Sequence, residues 1–368
     1  MKPGISVSVA GVVSALFAFI AVFLAAGGPA RADAVADFYK AKKQVVLIIS
    51  SDVGGGYDRY ARTMARKLGS HIPGNPSILP KNQPGAGGIR ATNALYNQSP
   101  KDGSTIGLIQ ATVLFEPLLG NKQAQFDVMK INWLGSTNAE VAMTVVWHAS
   151  PIKSIDDLRR IEAPVGATGA ASTPAFYGRL QNALLGTKMR MITGYKSQTT
   201  AFHAMEQGEI MGFPSAFYSS LISGFEPWVR EGKLRIIVQM ALEKHPKLAD
   251  VPLAQDLVAD AESKEILKLA SAPLAIGRPT LAPPGVPADR VAALRAAFEA
   301  TMKDADYVRD ASRQKLEVGN WLTGGRIEAI LKDSYGAPAT VVARITAIDN
   351  ELRELRKKEQ AAKKKKSD

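Results

Sequence analysis

The chain has no cysteine and only four histidines among its 368 residues. Without thiols it holds no disulfide, no zinc–thiolate centre, no iron–sulfur cluster and no cysteine nucleophile. His71, His148, His203 and His245 have no spacing that would put two of them on one helix face around a metal, so no metal ligands are assigned. The phosphate loop G-x-x-x-x-G-K-[ST] and the nucleophile elbow G-x-S-x-G are missing. Basic–aromatic repeats are missing too, which excludes the usual nucleic-acid binders. Two Gly-x-Gly segments, Gly54 to Gly56 and Gly85 to Gly87, fail the dinucleotide fingerprint, because Arg59 and Arg90 stand where a third small residue would pack on the sheet. Asp52, Asp58 and Glu116 read as caps or solvated acids rather than an acid–base pair. The expectation is a protein that is not an enzyme and carries no cofactor.

After residue 26 no apolar run is long enough to cross a bilayer. The start is different. Lys2, the mostly apolar stretch Ile5 to Ala26 and the processing site Ala30-Arg31-Ala32 have the order of a secretory signal, so residues 1–32 are expected to be removed and the protein to be periplasmic. Retention of this segment as an anchor is the other reading. Removal leaves 336 of the 368 residues, enough for two lobes with sizeable cores and no need of disulfides. The formal charge of +12 falls to +10 without Lys2 and Arg31, and residues 351–368 carry eight basic and four acidic side chains, so the body holds about +6. That excess suits an anionic small ligand. The lysine run Lys363 to Lys366 reads as a solvated tail.

What is present is a run of alternating strand and helix signals, the pattern of an α/β architecture. Strands are expected over 45–49, 77–80, 105–109, 133–135, 142–147, 164–167, 189–193, 209–213 and 234–240. Helices are expected over 59–68, 89–96, 174–185 and 199–207, from Val291 to Phe298, and over 327–332 and 339–358. Ser154 with Asp157 predicts a capping box. The stretch Arg278 to Pro287 is rich in proline and glycine and reads as a break in the chain.

The informative segments are two glycine loops, Gly54-Gly55-Gly56-Tyr57-Asp58 and Gln83-Pro84-Gly85-Ala86-Gly87-Gly88, each between a strand and a helix. A helix N-terminus carries unpaired N–H groups and partial positive charge, and glycine lets an anion approach the backbone. Three successive glycines exceed what one turn requires. Tyr57 either covers a ligand or packs on its own helix, Asp58 is most simply a cap, and Ser172 and Thr173 either cap a helix or face a cleft.

These segments carry a resemblance. The chain resembles the extracytoplasmic solute receptors of tripartite tricarboxylate transporters, the Bug receptors. The resemblance runs from about Val45 to Tyr335, through the two glycine loops, Pro100-Lys101-Asp102-Gly103, Gly166-Ala167-Thr168-Gly169, Leu184 to Lys188, Gly194-Tyr195, Ala204 to Glu209 and Ala282 to Pro287. It departs from the family pattern at Ser51-Asp52-Val53, at Ser197 and at Met211. The resemblance implies a two-lobed periplasmic-binding-protein fold closing like a hinged trap, with each lobe a sheet flanked by helices. It also implies a mono-, di- or tricarboxylate ligand and a membrane permease of one large and one small subunit. By position, the first-lobe contacts are Gly54, Gly55, Gly56, Tyr57, Asp58, Gly85, Ala86, Gly87 and Gly88; the second-lobe contacts are Ala170, Ala171, Ser172, Thr173, Gly194 and Tyr195. Lobe one is expected over 33–145 and 234–368, and lobe two over 146–233. The expected protein is a monomeric receptor that hands a small carboxylate to its permease. Sensing for a signalling partner, or an exported enzyme acting on a carboxylate, are the rival readings.

Overall fold

The computed structural model describes residues 29–348 apart from 55, 170, 171 and 196, together with residues 350 and 354. The expected signal segment therefore lies outside the described residues except at its end, where helix α1 (Pro29–Lys42) begins. Among the described residues no helix is long and apolar enough to cross a membrane.

The chain continues through β1 (Gln44–Ile49), α2 (Gly56–His71), β2 (Ser77–Asn82), α3 (Ile89–Asn97), β3 (Thr105–Leu108) and β4 (Asn132–Ser136). A second run follows: β5 (Ala142–Trp147), α4 (Ile155–Arg160), β6 (Ala163–Ala167), α5 (Thr173–Leu185), β7 (Met189–Thr193), α6 (Gln198–Glu206), β8 (Gly212–Phe217), α7 (Tyr218–Gly224), α8 (Glu226–Arg230) and β9 (Leu234–Met240). The chain closes with α9 (Ala261–Ile276), β10 (Pro279–Ala282), α10 (Ala288–Lys303), α11 (Ala305–Arg313), β11 (Leu322–Thr323), α12 (Gly324–Tyr335) and a helix over 339–348.

The strands form two sheets, one ordered β11-β4-β10-β3-β1-β2 and the other β7-β6-β8-β5-β9. The fold is α/β with two sheets flanked by helices. In β1 the residues Val45, Leu47 and Ile49 alternate inward, as a half-covered strand requires. They meet Ala61, Met64 and Leu68, which lie one or two helical turns apart on α2, and this cluster is the core of the first sheet's outer layer. The second sheet has its own cluster, built on Met143, Val145, Phe202, Met205 and Phe213. A third cluster spans both sheets through α9, whose Ile266, Leu267, Leu269, Ala270 and Leu274 pack with Trp133 of β4 and Val146 of β5.

Most expected strands and helices are present, several with longer ends. The capping box at Ser154 and Asp157 is present as expected. Three readings are corrected. The stretch beginning at Arg278 is not simply a break: Pro279–Ala282 is a buried strand paired antiparallel with both β3 and β4. Proline is tolerated there because it is the strand's first residue. The strand expected over 209–213 sits later, at Gly212–Phe217. Finally, Ala142–Trp147 and Leu234–Met240 pair with one another in the second sheet. The crossings between sheets thus fall between Ser136 and Ala142 and between Met240 and Pro279, rather than at 145 and 234. The reason is the ladder of six residue pairs from Ala142↔Met240 to Trp147↔Leu234, which no strand of the first sheet could also satisfy.

Candidate functional site

The two glycine loops leave the carboxyl ends of neighbouring parallel strands, β1 and β2. This is the edge where α/β sheets hold ligands. They are tied together at their roots. Gln83 donates its N–H to the Ile49 carbonyl at 2.8 Å, and the Asn82 amide donates to the Ser51 carbonyl and to Asp58 Oδ1, both at 2.9 Å.

In the first loop Asp58 organises its own backbone. It is buried, accepts from the Gly54 N–H at 2.9 Å and from Arg62 Nε at 2.8 Å, and shares Asn82. Burial alone would raise its pKa; the bonds from Gly54, Asn82 and Arg62 outweigh burial and hold the carboxyl below the usual range. Tyr57 reaches away from its own helix. Its hydroxyl donates to the Gly277 carbonyl at 3.2 Å and accepts from the Ala111 N–H at 3.4 Å. Burial pushes the Tyr57 phenol up, against the opposing charge of Arg278. Gly54 and Gly56 are exposed, and Gly55 lies outside the described residues.

The second loop is built by torsion angles. Gly85, Ala86, Gly87 and Gly88 have φ of 138°, 48°, 64° and 102°, four left-handed residues in a row. Only glycine adopts such angles freely, and Ala86 holds one at a cost. Gly88 ends the loop as the residue before α3, its carbonyl accepting from Thr92 Oγ1 at 3.0 Å. Gly85, Ala86 and Gly87 face solvent.

On the second sheet Ala170 and Ala171 lie outside the described residues. Ser172 does not cap α5; its hydroxyl donates to the Gly169 carbonyl at 2.7 Å. Ser172 and Thr173 line a cavity of about 220 Å³ whose other walls include Thr112, Phe115, Tyr177, Leu269 and Ile345. Thr112 and Phe115 follow β3 of the first sheet, and Ser172 and Thr173 follow β6 of the second, so the carboxyl ends of the two sheets face one another here. Gly194, with φ 109°, follows β7 and is exposed. Tyr195 is half-buried against the second sheet's core, and burial, then the charge and hydrogen bond of Glu209, raise its pKa. At the departure position Ser197 the hydroxyl accepts from the Thr200 N–H in a capping box.

Two residues escaped the sequence reading. Arg278 and Glu140 form a buried ion pair where the chain crosses between the sheets, with only 7% and 5% of their side chains exposed. Arg278 also donates to Asn138 Oδ1 at 2.6 Å, and its guanidinium lies 4.3 Å from the Tyr60 ring centre and 5.4 Å from that of Tyr57. A Cβ added to Gly56 would lie 3.2 Å from Arg278 Nη2, so the third glycine of the first loop leaves room for this cation. The two residues are separated by 138 positions, and no spacing rule connects them. Among the described residues no group of three or more His, Asp or Glu is placed to hold a metal.

The family model described as tripartite tricarboxylate transporter family receptor matches residues 60–323. Solved structures share the fold at low identity. A solute-binding protein from Polaromonas described as TctC is 19% identical, covers 84% of this chain and 98% of its own, and superposes with a TM-score of 0.65. MatC from Rhodopseudomonas palustris, with bound malate, is 18% identical over 83% of this chain and 99% of its own, with a TM-score of 0.56. A second R. palustris protein, with adipate, is 16% identical over 84% and 97%, also with a TM-score of 0.56. Among curated proteins none matches this chain by sequence.

Proposed function

Since the chain belongs to the tripartite tricarboxylate transporter receptor family, we propose that it is a periplasmic solute-binding protein that captures a small carboxylate between two lobes and delivers it to a membrane permease. The observation that carries this is the pair of tethered loops at the carboxyl ends of β1 and β2. They expose the backbone of Gly54, Gly56 and Gly85 to Gly87 beside the starts of α2 and α3. Such backbone holds a carboxylate through N–H groups and helix-end charge, without a dedicated side chain. Ser172, Thr173, Gly194 and Tyr195 are the contacts from the second lobe in this reading, and Gly55, Ala170 and Ala171 complete the loops. The malate and adipate in the two R. palustris structures favour dicarboxylates as the first class to test.

The lobes are the two sheets with their helices, joined at 136–142 and 240–279. A ligand that touches both binds the closed arrangement better than the open one and shifts the population toward it. The closed form of the monomer is then the form that the permease recognises.

The test is thermal unfolding of the purified protein against mono-, di- and tricarboxylates, with neutral sugars and amino acids as controls. A ligand at about 100 times its dissociation constant adds roughly 2.7 kcal/mol of stability, a shift of several degrees. A shift confined to one carboxylate class supports the reading. A shift with sugars or amino acids alone overturns it, and release of a chemically altered ligand favours an enzyme instead.

A further inference from the structure

We propose that Arg278 determines the selectivity of the site for carboxylates, and that Glu140 tunes it by partly neutralising the cation. This rests on the reading that the first glycine loop holds the ligand. The buried guanidinium packs against the loop at Gly56, where an added Cβ would lie 3.2 Å from Nη2. Gly56 itself is exposed, so this residue of the loop has the buried cation against it and is open to solvent.

The donors of Arg278 are unequally used. Nη1 serves Glu140 Oε1 and Asn138 Oδ1. Among the described residues Nη2 has only Ser219 Oγ, at 3.5 Å. Nε has no hydrogen-bond partner among the described residues, and neither has Glu140 Oε2, although both atoms are buried. A pair kept only for stability would satisfy these atoms, since a buried ion pair gains little over apolar packing unless its remaining donors and acceptors are bonded. Instead one nitrogen of the fork is saturated by Glu140 and Asn138, and the nitrogen nearest the loop is nearly free. A charge in such a dry site is screened far less than one on the surface. Of the other charges near the loop, Asp58 is held by Arg62 and Asn82, Arg59 donates to the Gln314 carbonyl, and Asp52 is exposed to solvent, which screens it more than the buried cation.

Position also gives Arg278 several attachments. Ser219, at the start of α7, donates to Glu140 Oε1; Tyr57 and Tyr60 of α2 flank the guanidinium; and the Arg278 backbone N–H donates to Ser136 Oγ at 2.9 Å. Ligand loop, crossing segments and second lobe thus meet at one cation.

The experiment is calorimetric titration of the wild type, Glu140→Gln, Arg278→Lys and Arg278→Met with malate, adipate and citrate, with adipamide as the neutral control and melting temperatures of each ligand-free protein alongside. Glu140→Gln is expected to lower the melting temperature yet bind the carboxylate about tenfold more tightly, because the cation loses its internal anion. Arg278→Met is expected to bind it at least tenfold more weakly, and Arg278→Lys to keep most of the affinity. Adipamide binding should not follow this order. A purely structural staple would make Glu140→Gln both less stable and weaker in binding, and that result, or unchanged carboxylate affinity, overturns the inference even if Arg278→Met does not fold. A wild type that binds none of the three carboxylates overturns the receptor reading, and this inference with it.

Discussion

The two glycine loops leave adjacent strands in the same direction, yet they are held by different forces. The first is held by side chains: Asp58 folds back on the Gly54 N–H, Arg62 and Asn82 lock Asp58, and Arg278 supports the loop from below. The second is held by backbone torsion, with four consecutive left-handed residues and no side-chain cap on the helix that follows. The difference teaches that glycine does two separate jobs here. Gly56 has no unusual φ and is needed for space above a guanidinium, whereas Gly87 and Gly88 are needed for the angles themselves. It also separates what each loop responds to: charge and pH should reach the first, and only backbone strain the second.

The largest effect is expected from Asp58→Ala, which strips the first loop of its organiser. Loss of charge-assisted hydrogen bonds from Gly54, Asn82 and Arg62 should cost about 2–3 kcal/mol of stability, read from urea unfolding. No comparable loss should follow truncation of any side chain in the second loop. Next in size is Gly88→Ala, which forces an L-residue to φ 102° where a Cβ would also meet Ser50 Oγ at 3.4 Å. About 1–2 kcal/mol of strain is expected, with weaker ligand binding, and a neutral result would mean that the loop is not torsion-locked.

Asp58→Asn keeps the shape but removes the charge, so it tests the pH response alone. The folded carboxyl titrates below its unfolded value. Its contribution is therefore complete above the unfolded pKa and disappears as the pH falls through the folded one. The gap in melting temperature between wild type and Asp58→Asn should be widest near neutral pH and close in acid; a gap independent of pH would contradict the assignment. The smallest effect is Ala86→Gly. Relief of a left-handed alanine, worth about 1–2 kcal/mol, is offset by the freer unfolded chain, leaving a gain of less than about 1 kcal/mol.

Much of this was legible beforehand. Strands such as Ala142–Trp147, Met189–Thr193 and Leu234–Met240 carry dense β-branched and apolar residues and end where expected. Both glycine loops fall between the strand and helix they were expected to join. Two of the missed elements share a cause. Helix α9 buries Ile266, Leu267, Leu269, Ala270, Leu274 and Ile276 and contains Pro273, so it has no clean amphipathic stripe to read. Strand β10 is four residues long and buried throughout, with no alternation and a proline as its first residue. Both sit where the sheets meet, and a segment covered on all sides loses the periodicity that pattern reading depends on.

Local chemistry, then, determined the strand–loop–helix units, the absence of thiol chemistry, the mild positive charge and the glycine loops, because each follows from residues within one or two turns of one another. Tertiary structure alone decided which sheet each strand joined, where the chain crosses between them, and that Arg278 meets Glu140 beneath Gly56. Those outcomes depend on pairings across 90 to more than 200 residues, such as Ala142 with Met240 and Tyr57 with Gly277. Burial and hydrogen-bond satisfaction select them in three dimensions, and no local pattern records that selection.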